Sequence, residues 1–224
     1  MNIDTDLLST PLFIIKKLQR DAFREEAHAM KGRVLDIGCG TQPYRRYISC
    51  DEYVGIDGLY GVIPQACAMA SDLPFRDISF DSVLCTEVLE HLESPRSCMA
   101  EINRVLKPGG RVYITAPQSW PLHYEPYDYW RFTKYGLRNI LTEHGFKVIT
   151  IKRLGGPFTV IGQELVDVAW TFFKKALHFL GPRWSERLST GLCLPLVIFA
   201  YLCGRIGDGI DKRYALGWAA VATK

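Results

Sequence analysis

The chain has 224 residues, of which 48% are hydrophobic and 23% charged, and this length fits one α/β domain with room for an elaboration. A net charge of only +3 argues against nucleic acid as a partner. The seven cysteines include no C-x-x-C pair, which argues against a disulfide framework or a zinc site and predicts a reducing, cytoplasmic location.

The first predicted element is a helix. Thr10 and Pro11 would open this helix, and Lys31-Gly32 would close it. Its apolar residues fall roughly on one face, which indicates a packing helix. The segment before it carries Asp4 and Asp6 and no basic-then-apolar leader, so no secretory signal is expected.

The next stretch is an apolar run that ends in an acid and two glycines. Residues 33 to 37 predict a buried strand, and Gly38 and Gly40 predict a tight loop that lets backbone approach a ligand closely. A helix over residues 43 to 49 would present unpaired amides to that ligand. A second apolar run, residues 53 to 57, ends in Asp57, where a carboxylate would accept both hydroxyls of a ribose. The pattern indicates a nucleotide-type pocket, although Pro43 replaces the third glycine of a dinucleotide-binding motif.

The remaining strands and helices alternate along the chain. Strands are predicted over residues 63 to 69, 81 to 86, 111 to 116 and 146 to 154, with helices over 95 to 106 and 133 to 144. This alternation predicts a parallel sheet built by right-handed crossovers.

Five motifs in order carry a family resemblance. They read DIGCG from Asp36, LPF from Leu73, FDSV from Phe80, EVLEHL from Glu87 and LKPGG from Leu106. Over roughly residues 30 to 155 the chain resembles the class I S-adenosylmethionine-dependent methyltransferases of the small-molecule, methyltransferase-11-like type. The resemblance implies a Rossmann-like, seven-stranded, mostly parallel sheet with helices on both faces. It also implies that the first helix is a lid over the cofactor, with plain packing as the alternative.

The resemblance assigns a set of cofactor contacts. Asp36 and the amides of the glycine loop would hold the methionine part, although a loop-capping carboxylate is an alternative role for Asp36. Relatives carry an acid for the adenine where this chain has Met69, so backbone near Ala70 and apolar packing are expected there instead. The expected cofactor-binding residues are Asp36, Gly38, Cys39, Gly40, Asp57, Met69, Ala70, Leu73 and Thr86.

Two segments are expected on the acceptor side. One helical turn would bring Glu87 beside Glu90 and His91, a spacing that some family branches use for a divalent metal. We expect no metal, with Glu90 and His91 catalytic and Glu87 contacting substrate, and we keep a metal at these three residues as an alternative.

The aromatic loop, residues 117 to 132, is the other segment. Its His123 is the best candidate for a general base, with a surface histidine as the alternative. Trp120, Tyr124, Tyr127 and Trp130 would form the acceptor wall.

About 60 residues precede a delayed last strand, which is predicted over residues 215 to 221. They predict a helical hairpin, residues 157 to 213, inserted in a domain made of residues 1 to 156 and 214 to 224. Its second helix holds residues 191 to 204, an uncharged stretch too short for the about 20 residues that span a bilayer. We expect an element at an anionic membrane surface, on the inner face, with a homodimer interface or packing on the sheet as alternatives.

Together these features predict transfer of a methyl group from S-adenosylmethionine to a small or lipid-linked acceptor, with oxygen favoured over nitrogen or carbon. A catalytically silent, cofactor-binding partner subunit is the alternative. A nicotinamide enzyme is a third and weaker one.

Overall fold

The computed structural model describes residues 11 to 58 and 66 to 224. The chain forms two compact units. The sheet unit comprises Asp21–Lys152 and Gly217–Lys224, and the hairpin unit comprises residues up to Arg20 together with Arg153–Leu216. The sheet unit carries all of the residues predicted to bind cofactor or acceptor.

A seven-stranded sheet has the order β3-β2-β1-β4-β5-β7-β6. β1 pairs in parallel with β2 and β4, β4 pairs in parallel with β5, and β7 runs antiparallel to β5. The predicted α/β fold with a mostly parallel sheet and a delayed antiparallel strand is therefore confirmed. The strands are β1 Arg33–Ile37, β2 Glu52–Asp57, β3 Ala66–Cys67, β4 Phe80–Thr86, β5 Leu106–Pro117, β6 Lys147–Leu154 and β7 Gly217–Thr223.

The central strands are buried on both faces. Val34, Leu35, Val83, Leu84 and Val112 have no exposed surface. Such continuous apolar runs are typical of parallel strands covered on both sides, which is why the sequence identified them without an alternating pattern. The order of strands reverses between β1 and β4, and a crevice at the carboxyl ends of the strands at such a point is where α/β proteins bind ligands.

Five helices accompany the sheet in the described residues. Thr133 caps α3 by accepting the N–H of Gly136 at 3.1 Å, and Ser94 caps α2. Thr10, the predicted cap of the first helix, lies outside the described residues. The helices are α1 Phe13–Glu26, α2 Pro95–Val105, α3 Lys134–Glu143, α4 Pro157–Ala176 and α5 Pro182–Gly207.

Two predicted elements are corrected. The helix expected over residues 43 to 49 is only a 3₁₀ turn, Arg45–Tyr47, because Gln42 takes a positive φ of 57° and Ile48 is already extended. A stretch this short cannot nucleate a stable α-helix before β2 begins. The third strand is Ala66–Cys67 rather than residues 63 to 69, of which 63 to 65 lie outside the described residues.

The second helix of the hairpin is also longer than predicted. Gly181, at φ 84°, precedes Pro182 in the first turn, and α5 then continues through Pro195 for 26 residues. Within the described part of the chain, α5 is the helix long and apolar enough to cross a membrane by length and composition. The expectation that this segment is too short to span a bilayer is therefore wrong.

The loop after β1 contains two glycines that face different surroundings. Gly38 has φ 66°, and a Cβ on it would overlap the Cγ2 atom of Val88. Gly40 has φ 49°, and a Cβ there would meet nothing within 4 Å. Of these two glycines, only Gly38 therefore combines a left-handed backbone with a tight contact.

We expect Gly38→Ala to lower the free energy of unfolding by about 2–4 kcal/mol, from left-handed strain and overpacking together. Gly40→Ala is the matched control, because it adds the strain without the contact, and should lower that energy by about 1–2 kcal/mol. Urea unfolding of both variants measures the difference. Equal losses would show that the contact with Val88 is not tight in solution.

Candidate active site

The glycine loop is tied to the end of β2. The N–H of Cys39 donates to the carbonyl oxygen of Ile56, and the N–H of Gly40 donates to Oδ2 of Asp57, both at 3.0 Å. These two amides already have partners, and contact of the glycine loop with the methionine part of a cofactor stays a prediction. The loop offers its curvature and the open space beside Gly40.

Asp36 lies at the end of β1 and is 1% exposed. Its Oδ2 accepts a hydrogen bond from the hydroxyl of Tyr53, while Oδ1 has no partner among the described residues. Burial raises the pKa of Asp36 to about 7, and the nearby Asp57 carboxylate adds to the shift. A cation bound beside this carboxyl would favour its ionised form.

The other predicted cofactor residues lie at the next strand ends. Met69 is 60% exposed, and its Sδ lies 3.7 Å from where a Cβ on Gly58 would be, directly after Asp57. Ala70 is buried. Leu73 is a core residue whose N–H donates to Glu101 at 2.8 Å, so its backbone is fixed by α2. Contact of these residues with an adenine stays a prediction.

The segment after β4 does not form the predicted helical turn from Glu87. Thr86 ends the strand, Glu87 adopts φ 53°, and only Leu89–His91 form a 3₁₀ turn. The N–H of Glu87 donates to the carbonyl oxygen of Thr115 on β5 at 3.2 Å. Because the left-handed residue interrupts the turn, Glu87 is positioned by the sheet and not by a helix.

Glu90 is fully buried and shapes the acceptor side through its backbone. Its carbonyl oxygen accepts the N–H groups of Tyr129 and Trp130 at 2.8 and 3.2 Å. Neither carboxylate oxygen has a hydrogen-bond partner in the described chain. Burial, with Glu87 nearby, raises the pKa of Glu90 well above its ordinary value.

Two histidines meet at this edge. The rings of His91 and His123 are 4.7 Å apart in an edge-to-face arrangement, and Tyr124 packs against both. His91 Nδ1 lies 2.7 Å from the carbonyl oxygen of Tyr127. Because a carbonyl only accepts, Nδ1 carries the hydrogen and Nε2 carries the lone pair in the neutral ring.

His123 is held in the same tautomer by an acid that the sequence did not reveal. Its Nδ1 lies 3.2 Å from both the Pro121 carbonyl oxygen and Oδ2 of Asp128, which leaves Nε2 as the basic atom. Desolvation lowers the pKa of His123, although Asp128 opposes the shift, so the ring is neutral at pH 7. His123 has the geometry that a general base requires, and its role as a base stays a prediction.

Asp128 is in turn fixed by Arg131. The guanidinium makes two parallel contacts to the carboxylate, at 2.7 and 2.8 Å, and donates to the carbonyl oxygens of Trp120, Trp130 and Pro121. This bidentate pair holds the pKa of Asp128 well below its ordinary value. The i, i+3 spacing of the acid and the arginine in the loop is the sequence signal that could have predicted this pair.

The predicted acceptor wall divides into anchored and exposed parts. Trp120 is half-buried, while Tyr124, Tyr127 and Trp130 are 69%, 62% and 43% exposed. The indole N–H of Trp130 donates to the carbonyl oxygen of Leu92 at 2.9 Å, which fixes that ring. The loop therefore presents aromatic faces that the protein does not bury.

A cluster of metal-ligating side chains occurs here. Ligand atoms of Glu90, His91 and His123 lie within 4.8 Å of one another. Glu87, a member of the alternative metal site considered from the sequence, is not in this set. The raised pKa of Glu90 opposes metal binding there, since metal ions bind ionised carboxylates.

A separate cavity of about 760 Å³ is lined by residues that include Arg24, His28, Lys31 and Tyr47. Lys31 precedes β1, so this cavity is at the amino ends of the strands. The glycine loop is at their carboxyl ends, and this cavity is not the site.

Comparison with known proteins agrees with this geometry. Residues 35–114 match the family described as a methyltransferase domain. The chain is 39% identical over 108 residues to an uncharacterized protein of Methanocaldococcus jannaschii, covering 45% of this chain and 51% of that protein. It is 30% identical over 177 residues to O-methyltransferase resE of Aspergillus sclerotiorum, covering 66% of this chain and 64% of the relative.

A solved SAM-dependent methyltransferase from Archaeoglobus fulgidus shares the fold, with a TM-score of 0.57 at 16% identity over 96% of this chain and 95% of that one. The match over residues 35–114 and the shared fold agree with an S-adenosylmethionine-dependent methyltransferase domain, whose cofactor is S-adenosylmethionine. The chain spans about half to two thirds of the curated relatives named above, at 51% and 64%.

Asp36 makes cofactor affinity depend on pH. With a pKa near 7 in the free protein and a lower one beside the bound cation, affinity should fall about tenfold from pH 8 to pH 6. Calorimetry with S-adenosylmethionine on wild type and Asp36→Asn measures this, and the ligand's own titration cancels in the ratio of affinities. A ratio that is constant across this range would show that Asp36 does not sense the cofactor.

The raised pKa also fixes the sign of a stability effect. In the unliganded protein the contribution of Asp36 to stability is full below its ordinary pKa and is lost as the pH rises towards 7. Bound cofactor should weaken this trend, because it lowers the pKa of Asp36.

Asp128→Asn removes the charge that Arg131 holds. We expect the free energy of unfolding to fall by about 2 kcal/mol, because a buried charge-assisted pair is lost. We also expect the pKa of His123 to fall further, since Asp128 raises it, as an NMR titration would report. Asp211→Asn is the control, because its bidentate partner Arg213 is 85% exposed and screened by water. A similar loss of stability in both variants would contradict a special role for the Asp128 pair.

Proposed function

We propose that the protein is an S-adenosylmethionine-dependent methyltransferase that methylates a hydroxyl oxygen of a small, ring-containing acceptor. The observation that carries the proposal is the neutral His123, held by Asp128 so that Nε2 is available as a base beside the aromatic loop. An alcohol or phenol needs such a base as its oxygen attacks.

The reaction needs little further chemistry from the protein. S-adenosylmethionine, held beside Asp36 and Asp57, would supply the methyl carbon to the acceptor oxygen, and the carbon–sulfur bond would break with its electron pair returning to sulfur. The hydroxyl proton passes to Nε2 of His123. The sulfonium is already activated, so the main tasks of the protein are positioning and exclusion of water.

The contact chain supports His123 as part of the site. Gly38 of the cofactor loop packs on Val88, three residues before His91. His91 contacts His123, and both contact Tyr124. Cofactor loop and base are therefore connected through one short segment of the sheet unit.

The acceptor class follows from the exposed aromatic rings of the loop. Tyr124, Tyr127 and Trp130 present faces that suit a planar or sugar ring. The relative from Aspergillus sclerotiorum is named an O-methyltransferase, which agrees with oxygen as the target. The alternative of a silent partner subunit has no support from the comparisons.

Labelled S-adenosylmethionine, offered with a panel of phenols, catechols and hydroxylated quinones, tests the proposal. We expect an O-methyl product with at least one of them, identified by mass and by NMR of the methyl group. Transfer to amines alone would overturn oxygen as the target.

We expect His123→Gln to lower kcat about 10²–10⁴-fold, because the general base is lost. Affinity for S-adenosylhomocysteine should stay within about twofold, since the ring has no assigned cofactor contact. His28→Gln is the control, an exposed histidine of the same unit at the cavity away from the site. At saturating cofactor, kcat of the wild type should increase with pH and reach its plateau below the ordinary histidine pKa, because the pKa of His123 is lowered. An unchanged kcat in His123→Gln would remove this residue from catalysis.

Chelation distinguishes a general base at His123 from a metal ion bound by the same cluster of side chains. We expect EDTA to leave turnover unchanged, because a divalent ion would occupy the lone pair that His123 uses as a base. Loss of turnover that added magnesium or manganese restores would instead assign Glu90, His91 and His123 as ligands.

A further inference from the structure

The hairpin unit packs its helices through small residues. Gly162 on α4 faces Ala200 on α5 so closely that a Cβ would overlap it, and Gly204 faces Thr159 in the same way. These pairs, and a hydrogen bond from the indole of Trp170 to Thr190, show that the two helices run antiparallel. The buried stripe of α5 consists of Ser185, Ser189, Cys193, Val197, Ala200 and Gly204.

The large apolar side chains of both helices point outward instead. On α4 they recur at helical spacing and are 43% to 70% exposed, and on α5 they are 42% to 88% exposed. A helix pair in water normally buries such residues in its contact. Helices packed in lipid have this arrangement, with small residues in the contact and large apolar residues on the outside. The exposed residues are Phe158, Ile161, Leu165, Val168 and Phe172 on α4, and Trp184, Leu188, Leu192, Ile198, Phe199, Leu202 and Ile206 on α5.

The two exposed stripes lean towards the same side of the hairpin. Successive residues of a helix are 100° apart, and on each helix the exposed stripe is rotated in the same direction from the buried face. Because the two helices are antiparallel with their buried faces in contact, both stripes turn towards the same side of the hairpin. We call this side the apolar face. Another part of the hairpin contacts residues of its own unit. Phe13 packs edge-to-face on Tyr201 at 5.7 Å, and Gln163 donates to the carbonyl oxygen of Pro11 at 3.1 Å.

Cations flank the apolar face at both ends of the hairpin. Lys174, Lys175, Arg183 and Arg187 surround the turn between the helices, and Arg205 lies in the last turn of α5. Between Arg187 and Arg205, α5 carries no charged residue. Apolar surface bounded by cations is complementary to hydrocarbon bounded by anionic headgroups.

We propose that the apolar face binds an anionic lipid bilayer, with the hairpin lying in the plane of the interface. In-plane binding follows from α4, whose third face carries Glu164, Asp167 and Lys175 along its length and would be buried in hydrocarbon if the hairpin spanned the bilayer. The length of α5 alone does not require spanning, because its exposed apolar residues follow one stripe.

The lipid-linked acceptor expected from the sequence follows only if the proposed methyl transfer is also correct. A chain held at a bilayer would encounter acceptors whose ring is attached to a lipid. Membrane binding itself can be measured without any turnover, so failure of either proposal can be told from failure of the other.

The test is flotation of the full chain, purified without detergent, with phosphatidylcholine vesicles that contain or lack phosphatidylglycerol. We expect binding that is stronger with phosphatidylglycerol. The double variant Phe172→Glu with Phe199→Glu should bind at least tenfold less, since two apolar side chains leave the interface. Tyr135→Glu, an equally drastic change at a 69% exposed aromatic of the sheet unit, should bind like wild type.

Two further measurements test the contribution of charge to binding and the depth to which the hairpin inserts. Arg187→Gln should weaken binding to anionic vesicles about fivefold and leave neutral vesicles unaffected. Protein bound in the plane should be released by alkaline carbonate, whereas retention after that wash would overturn in-plane binding in favour of a spanning helix.

Affinity for S-adenosylhomocysteine confirms that each variant is folded. If the double glutamate variant does not fold, Ile206→Ser replaces it, because that side chain is 88% exposed. Absence of vesicle binding by the wild type would overturn the proposal. So would a stable dimer in analytical ultracentrifugation that the double variant dissociates, because the apolar face would then belong to a second copy.

Discussion

The close packing of Gly38 on Val88 is the constraint on which the site depends. A residue with a Cβ does not fit there, and the left-handed backbone that turns the chain away from β1 favours glycine as well. Val88 begins the segment that carries Glu90 and His91, so this one contact sets the position of the acceptor side relative to the cofactor loop. The ring contact of His91 with His123 then extends the same constraint to the aromatic loop.

Three buried carboxyls at this edge differ because their partners differ. Asp128 has an arginine in bidentate contact and stays ionised, so it can hold a histidine in one tautomer. The carboxylate oxygens of Glu90 accept no hydrogen bond from the described residues and burial raises its pKa, while its backbone anchors the loop. Asp36 has only the Tyr53 hydroxyl and titrates near pH 7, so its charge depends on what binds beside it. Burial alone therefore does not determine the role of a carboxyl. The role depends on the hydrogen-bond donor nearest to it.

The sequence specified the sheet well because buried parallel strands are continuous apolar runs. Residues 33 to 37 were predicted and observed with the same bounds. The pair of Asp128 and Arg131 was missed because it depends on the path of a loop without periodicity. The length of α5 was missed for another reason. Charges at its first turns ended the predicted apolar segment, although Gly181 and Pro182 are a recognisable helix start. Local start signals were more reliable here than a count of uncharged residues.

The two units follow opposite packing rules within one chain. In the sheet unit the largest side chains, such as Tyr113 and Phe23, are fully buried and in edge-to-face contact. In the hairpin unit the interior holds Gly162 and Ala200, while Phe172 and Phe199 face outward. Water drives the first arrangement, because it removes apolar area from solvent. It opposes the second, which is favourable only where the surroundings of the outward residues are themselves apolar. The exposed rings of the hairpin are therefore better explained by a different solvent than by a poorly packed core.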